Sequence, residues 1–293
     1  MKRFLEEFFS GLIFLIFLTL VISILVSLRV SLVEFDSNDS RIDITQIQES
    51  ESMISSIKRT FSIVSTFNFG KTKTGEDVLE HLKKRVEPTI SLALFATILG
   101  SFLGILISLL IHYKWHRLEF FFKAFFYSIL STPIFVVGII LFIVFGILIP
   151  VFPPGGFESG KIAFLVLPGI TLGSRVLARI YFFTGELMVS EKNSQLSFNL
   201  EAMGFSKFRI IFKYSFYKIF PVILIVIMLE FASLVSGAMI VEEIFAFPGI
   251  GKSIYYAIKV MDENLLRAVL FYTGVLFYIV NKTAKVLQVK LVG

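Results

Sequence analysis

Apolar runs long enough to cross a lipid bilayer alternate along this chain with two polar stretches of unlike character. The first run, Phe8 to Leu28, follows Lys2 and Arg3 and is about 21 residues long, enough for a hydrocarbon core about 30 Å thick. It lacks the short apolar region and small-residue cleavage site of a secretory leader, so it reads as an anchor that stays. Residues 34–87 change character: Asp36, Asp39, Asp43, Glu49, Glu51, Glu76, Asp77 and Glu80 mix with Arg41, Lys58, Arg59 and Lys83–Arg85. Ile47, Ile54, Ile57, Phe61 and Val64 fall roughly on one helical face, which predicts a small folded element on the membrane surface rather than a loose linker.

Pro88 suits the first turn of a helix and opens a second span reaching about His112. The basic, aromatic edge Tyr113-Lys114-Trp115-His116-Arg117 closes it. A third span, Phe120 to Ile149, is expected to kink at Pro133 and to end in the turn Pro150–Gly156. The fourth, Ile162 to about Leu187, contains Arg175 and Arg179. A polar, basic island follows at about 190–218. The fifth span, Ile219 to Val241, carries Glu230, and the sixth runs from Leu265 to Val280 before a tail with Lys282, Lys285 and Lys290. The expected fold is an all-α integral membrane protein of six transmembrane helices. It divides into an N-terminal anchor (1–33), a polar segment (34–87) and a five-helix core with the island (88–293).

Composition agrees with a membrane protein. Hydrophobic residues make up 56% of the chain and charged ones 17%, against about 25% in soluble domains. The net charge of +6 is no nucleic-acid signal, because the bases sit at span ends. With the N-terminus inside, the cytoplasmic segments hold Lys2, Arg3, Lys114, Arg117, Lys192, Lys207, Arg209, Lys213, Lys218, Lys282, Lys285 and Lys290. The short outer loops hold Lys161, Lys252 and Lys259. Both termini are therefore expected in the cytoplasm and 34–87 outside. The chain has no cysteine, and His81, His112 and His116 make no zinc-type pattern.

Ala246 to Ser253 is one residue short of a nucleotide-binding phosphate loop, lacking its first glycine. Pro248 removes a backbone donor such a loop would use, so this is read as a turn between spans. No hydrolytic or redox constellation accompanies it, which argues against an enzyme. Charges within spans are functional candidates by default. Arg179 is expected to snorkel to the cytoplasmic edge. Glu230 either pairs with an arginine or faces a polar path, where it would favour cationic or amine groups; Arg175 joins it as a candidate for that path. In the island, Gly204 can break or bend the chain, and Ser206 is a helix cap for Lys207–Tyr217. Phe208, Ile211, Phe212 and Ser215 or Phe216 would make that helix's apolar face, flanked by Lys207, Arg209 and Lys213. It is either a docking surface for a cytoplasmic partner or a helix lying in the lipid headgroups.

Glu201-Ala202-Met203-Gly204-Phe205-Ser206, the bases beyond it and Phe220-Pro221-Val222 resemble the cytoplasmic loop of binding-protein-dependent ABC transporter permeases of the dipeptide/oligopeptide branch. Gly237 to Gly251 resembles that branch's G-x-x-x-V-E-x-[IV]-F-x-x-P-G-x-G stretch through Glu242, Phe245, Pro248, Gly249 and Gly251. Asn68-Phe69-Gly70, Gly75, Arg85 to Ile90 and Leu167 to Leu172 resemble further segments in order. The chain departs from the family at Phe198-Asn199-Leu200, where an E-A-A pattern begins, and at Asp36 to Asp39, where a proline-glycine-aspartate motif is usual. It departs again at Glu230, where a glutamine is commoner.

The resemblance implies a type I importer permease in a prokaryotic inner membrane, not an enzyme, with no cofactor or metal of its own. It would pair with a second permease, two ATPase subunits that hold ATP and magnesium, and an extracytoplasmic solute-binding protein. Lipid surrounds it, and no nucleic acid is involved. Glu201, Ala202, Gly204, Phe205, Ser206, Lys207, Phe208, Arg209, Phe212 and Lys213 would form the ATPase coupling element. The solute would be a peptide, or a nickel chelate, glutathione or sugar. Two other classes stay open: a membrane scaffold whose island docks a non-ATPase partner, and an ion-coupled secondary transporter. The latter usually shows two related repeats, and none is found.

Overall fold

The hydrophobic segments become long helices because in a membrane every backbone polar group must be satisfied within the chain itself. The computed structural model describes residues 2–37 and 53–291. The stretch 38–52, with Asp39, Asp43, Ile47, Glu49 and Glu51, lies outside the described residues. The helices are α1 (Lys2–Ser37), α2 (Met53–Thr66), α3 (Val78–Tyr113), α4 (Glu119–Ser131) and α5 (Ile134–Leu141), which continues as π-helix over Phe142–Leu148. Then come α6 (Ala163–Lys192), α7 (Gln195–Ala202), α8 (Lys207–Arg209), a π-helical stretch Ile210–Ser215, and α9 (Phe216–Gly237). The last are α10 (Met239–Ile244), α11 (Ile250–Lys259) and α12 (Glu263–Leu291). Five helices among the described residues are long and apolar enough to cross a membrane, and a sixth crossing results if α4 and α5 form one span.

Three boundaries differ from the sequence expectation. Pro88 lies inside α3 rather than at its first turn. The carbonyl left without a partner belongs to Lys84, on an exposed turn where solvent can take the bond. At Pro133 the expected kink is a break of 99°. Thr132 and Pro133 are both extended (ψ 131° and 134°), because proline drives its predecessor out of the helical region. The helix starting at Lys207 does not stop before a fifth span at Ile219. It runs on as one rod from Lys207 to Ser236, with Pro221 inside it.

The described residues fall into two units. Residues 1–85 and 253–276 make the first. Here Ile22 and Val26 are buried on α1, and Thr19 and Ser23 are buried with their hydroxyls bonded back to carbonyls of their own helix. Arg267, 1% exposed, donates to Glu263 and to Ser56 of α2, at 3.0 and 3.2 Å. Asp262 caps α12 through the Leu265 amide and holds the Lys73 amide at 2.7 Å. His81 bridges Glu76 at 2.8 Å and Ser253 at 3.1 Å. Glu76 also takes Lys84 at 2.9 Å; that bond first, and His81 second, hold its carboxyl below the usual range.

Residues 86–252 and 277–293 make the second unit. Its centre is the crossing of α3 and α6, where small residues let the backbones approach. A Cβ at Gly100 would lie 2.6 Å from the Gly173 carbonyl oxygen, and one at Gly104 2.7 Å from that of Leu177. One apolar cluster joins Leu92 and Ala96 to Leu167, Leu172, Val241, Phe245 and Phe247. A second, toward the island, joins Leu109 and Met188 to Ile211, Ile219 and Ile223.

Candidate functional site

Every candidate residue from the sequence lies in the second unit, in three separate places. The first is built around Glu242, in α10. Its side chain is fully buried, an expensive position for a carboxylate unless hydrogen bonds replace water. They do: Oε1 accepts from the Thr89 hydroxyl at 2.9 Å and Oε2 from the Lys252 amide at 2.8 Å. The Thr89 oxygen in turn accepts from the Ile250 amide at 2.8 Å, and the Glu242 carbonyl accepts from the Phe247 amide at 2.7 Å. The carboxylate thus sits at the start of α11, where helix amides lack internal partners and negative charge is favoured.

Pro248 lies in the connecting turn. A Cβ at Gly249 would fall on the Glu242 carboxylate, and one at Gly251 would meet the Met239 backbone at 2.7 Å. Phe245 and Phe247 bury their rings against Phe142 and Phe157. The near-match to a phosphate loop now has its physical explanation. The amides that would cradle phosphate are taken by the chain's own carboxylate and by Thr89.

The second place is a set of charges on α6 and α9. Arg179 Nη1 donates to both oxygens of Glu230, at 3.1 and 3.0 Å, so Glu230 has the arginine partner that was one of its two expected roles. Arg175, one turn earlier, sends Nη2 to the carbonyls of Leu130 and Thr132, each at 3.3 Å. It therefore covers the carbonyl end of α4 at the Pro133 break, where a cation suits the helix dipole. Among the described residues Arg175 makes no hydrogen bond to Glu230; Arg179 holds Glu230 instead.

The third place is the island, which has two helices rather than one. α7 starts at Ser194, whose hydroxyl accepts from the Ser197 amide and donates to Glu191. Glu191 is 7% exposed and also takes Lys218 at 2.9 Å, which ties the end of α6 to the rod. α7 ends by a paired closure: Gly204 N–H reaches the Glu201 carbonyl at 2.9 Å and Phe205 N–H that of Leu200 at 3.1 Å. Gly204 has φ +80°, the left-handed turn that such an ending requires. Ser206 then caps the next helix by accepting from the Arg209 amide at 3.4 Å.

Arg209 lies over the Phe205 ring, and Phe208 stacks on Phe212. Both of these phenylalanines meet Tyr113 edge-on, which fastens the rod to the end of α3. Glu201, Ala202, Lys207 and Lys213 are exposed beside them. Sequence reasoning missed the Glu191–Ser194–Lys218 tie and the Gly100/Gly104 crossing. The signals were a serine two residues past a span end, and two glycines four apart in an apolar run. Among the described residues no group of three or more His, Cys, Asp or Glu could hold a metal ion.

Comparison with known proteins matches residues 96–292 to the model of the binding-protein-dependent transport system inner membrane component. The chain is 31% identical to a probable peptide ABC transporter permease of Sinorhizobium fredii, over 73% of this chain and 71% of that one. It is 25% identical to an oligopeptide transport system permease of Bacillus subtilis, over 75% and 73%. With an oligopeptide transport system permease of Salmonella typhimurium it shares 27%, over 62% of this chain and 59% of that protein.

Proposed function

The chain belongs to the family of binding-protein-dependent transport system inner membrane components, and on that premise we propose that its island passes the motion of separate ATPase subunits to the spans. It is a multi-pass permease subunit of an ABC importer, not the ATPase. The solute is a peptide or a related small molecule, a reading supported by the peptide and oligopeptide permeases among its relatives. A second permease, two ATPase subunits holding ATP and magnesium, and an external binding protein complete the importer.

The observation that carries the coupling role is the apolar surface of α7. Phe198 on α7 and Met203 at its C-terminal cap are 67% and 72% exposed, and the short helix is pinned at both ends by the Glu191 tie and the Gly204 closure. A pinned helix transmits a push that a loose loop would absorb. Polar Gln195, Asn199 and Glu201 share its exposed surface, which fits a protein groove better than lipid.

Phe198→Asp with Met203→Asp is expected to lower co-purification of the ATPase subunits and solute-stimulated ATP hydrolysis by about tenfold or more, as loss of an interface hot spot does. The permease's own melting temperature should stay unchanged. Intact assembly and hydrolysis in the double variant would refute the coupling role and favour a scaffold docking some other partner.

The excess of bases on the island and tail supports a cytoplasmic location for both termini and an outer location for residues 34–87. The chain lacks cysteine, so a single Ser65→Cys, on the exposed side of α2, gives a clean reporter. An impermeant thiol reagent is expected to label it from outside intact spheroplasts. Labelling only after the membrane is opened would reverse the topology.

A further inference from the structure

Arg179 presents a hydrogen-bonding edge that its partner does not use. Only Nη1 meets Glu230, so Nη2 and Nε keep donors that no protein group takes among the described residues. The Arg179 side chain is 47% exposed while Glu230 is 12% exposed, so the open edge faces outward and the carboxylate inward. The residue lies near the middle of α6, where hydrocarbon is no place for a half-exposed guanidinium. Arg175 and Arg179 against Glu230 leave one net positive charge at this level of the spans.

We infer that Arg179 is a specificity-determining residue of the translocation path, its free edge receiving the carboxylate of the passing solute. The inference rests on the permease reading above and names the feature of the solute that the path recognises. Guanidinium geometry suits the task, because the Nη2–Nε edge matches a carboxylate through two parallel bonds. Glu230, its charge offset by Nη1, holds the fork in position. On this reading the path favours an anionic end over a cationic one. Arg175 is committed to the α4 carbonyls and contributes charge without a second free fork.

The test uses the assembled importer with its binding protein in proteoliposomes, and labelled trialanine as the free acid and as the C-terminal amide. The ratio of acid to amide uptake is compared between variants, so the binding protein's own preference cancels. Arg179→Gln is expected to lower that ratio by about tenfold, the scale of a lost charge-assisted bond. Arg179→Lys should keep part of the preference. Because Arg179→Gln leaves Glu230 unpaired, the double variant Arg179→Gln, Glu230→Gln carries the same comparison without a stranded charge and should show the same fall.

An unchanged ratio in both variants, with ATP hydrolysis intact, overturns the inference and leaves the permease reading standing. Loss of the second permease from the complex, with the ratio unchanged in what remains, also overturns it and assigns the free edge to a subunit contact. Uptake of neither probe by the unaltered importer overturns the peptide reading itself, and the inference with it.

Discussion

Glu242→Ala is expected to leave little folded protein after detergent extraction. The substitution takes away the acceptor for the Thr89 hydroxyl and the Lys252 amide. Each buried donor left without a partner costs about 1–3 kcal/mol, so the variant loses several kcal/mol in all, a large share of a typical domain's stability. Glu242→Gln should fall between. Its amide oxygen can still accept the Lys252 N–H, but its NH2 then meets the Thr89 hydroxyl, whose oxygen is already bonded to the Ile250 amide. Thr89→Val removes two bonds, the one Thr89 donates to the carboxylate and the one it accepts from the Ile250 amide, while sparing the carboxylate's contact with Lys252, and it should be milder than Glu242→Ala. Melting temperature of the purified subunit checks the order. A melting temperature for Glu242→Ala equal to that of the unaltered chain would show that these carboxylate bonds contribute nothing to the fold.

Gly100→Val and Gly104→Val are expected to prevent the second unit from assembling. Their new Cβ atoms would sit at 2.6 and 2.7 Å from backbone oxygens of α6, and the obstacle is main chain, which no rotamer change removes. Forced overpacking of a well-packed core costs about 1–3 kcal/mol, and more where backbone must separate. Gly185→Ala is the control on the same helix pair. Its added atom would meet Ser108 and His112 at 3.5 Å, ordinary contact distance, and the protein should tolerate it. Yield of monodisperse protein, read for all three variants together, separates a specific steric block from general intolerance of a larger residue.

The spans were legible because apolar length is a local property: the runs that became α1, α3, α6, α9 and α12 stand out without knowledge of their partners. The Ser206 cap was legible for the same reason, since it needs only the next three residues. Other features depend on geometry between distant positions. Arg179 and Glu230 are 51 residues apart, so the sequence could offer an arginine partner for Glu230 without saying that it is Arg179 rather than Arg175. A proline that kinks a helix and one that breaks it look alike in sequence; the 99° turn at Pro133 follows from extended torsions at two successive residues. α3 begins ahead of Pro88 because an exposed turn tolerates an unpaired carbonyl, a matter of solvent access. Glu242 was singled out by resemblance, while its role as an internal anion for the α11 amides required Thr89, from elsewhere in the chain.

The rod that joins Lys207 to Ser236 also has a mechanical meaning. Glu230 lies 23 positions beyond Lys207, a lever arm of about 35 Å at 1.5 Å per residue. A tilt of about 5° pivoting at the island would sweep Glu230 through about 3 Å on that arm. This displacement is as long as the Arg179–Glu230 bond, 3.0 Å. A few degrees of rotation at the island end are therefore enough to disengage the pair farther along, with no unfolding of the rod and no messenger between them.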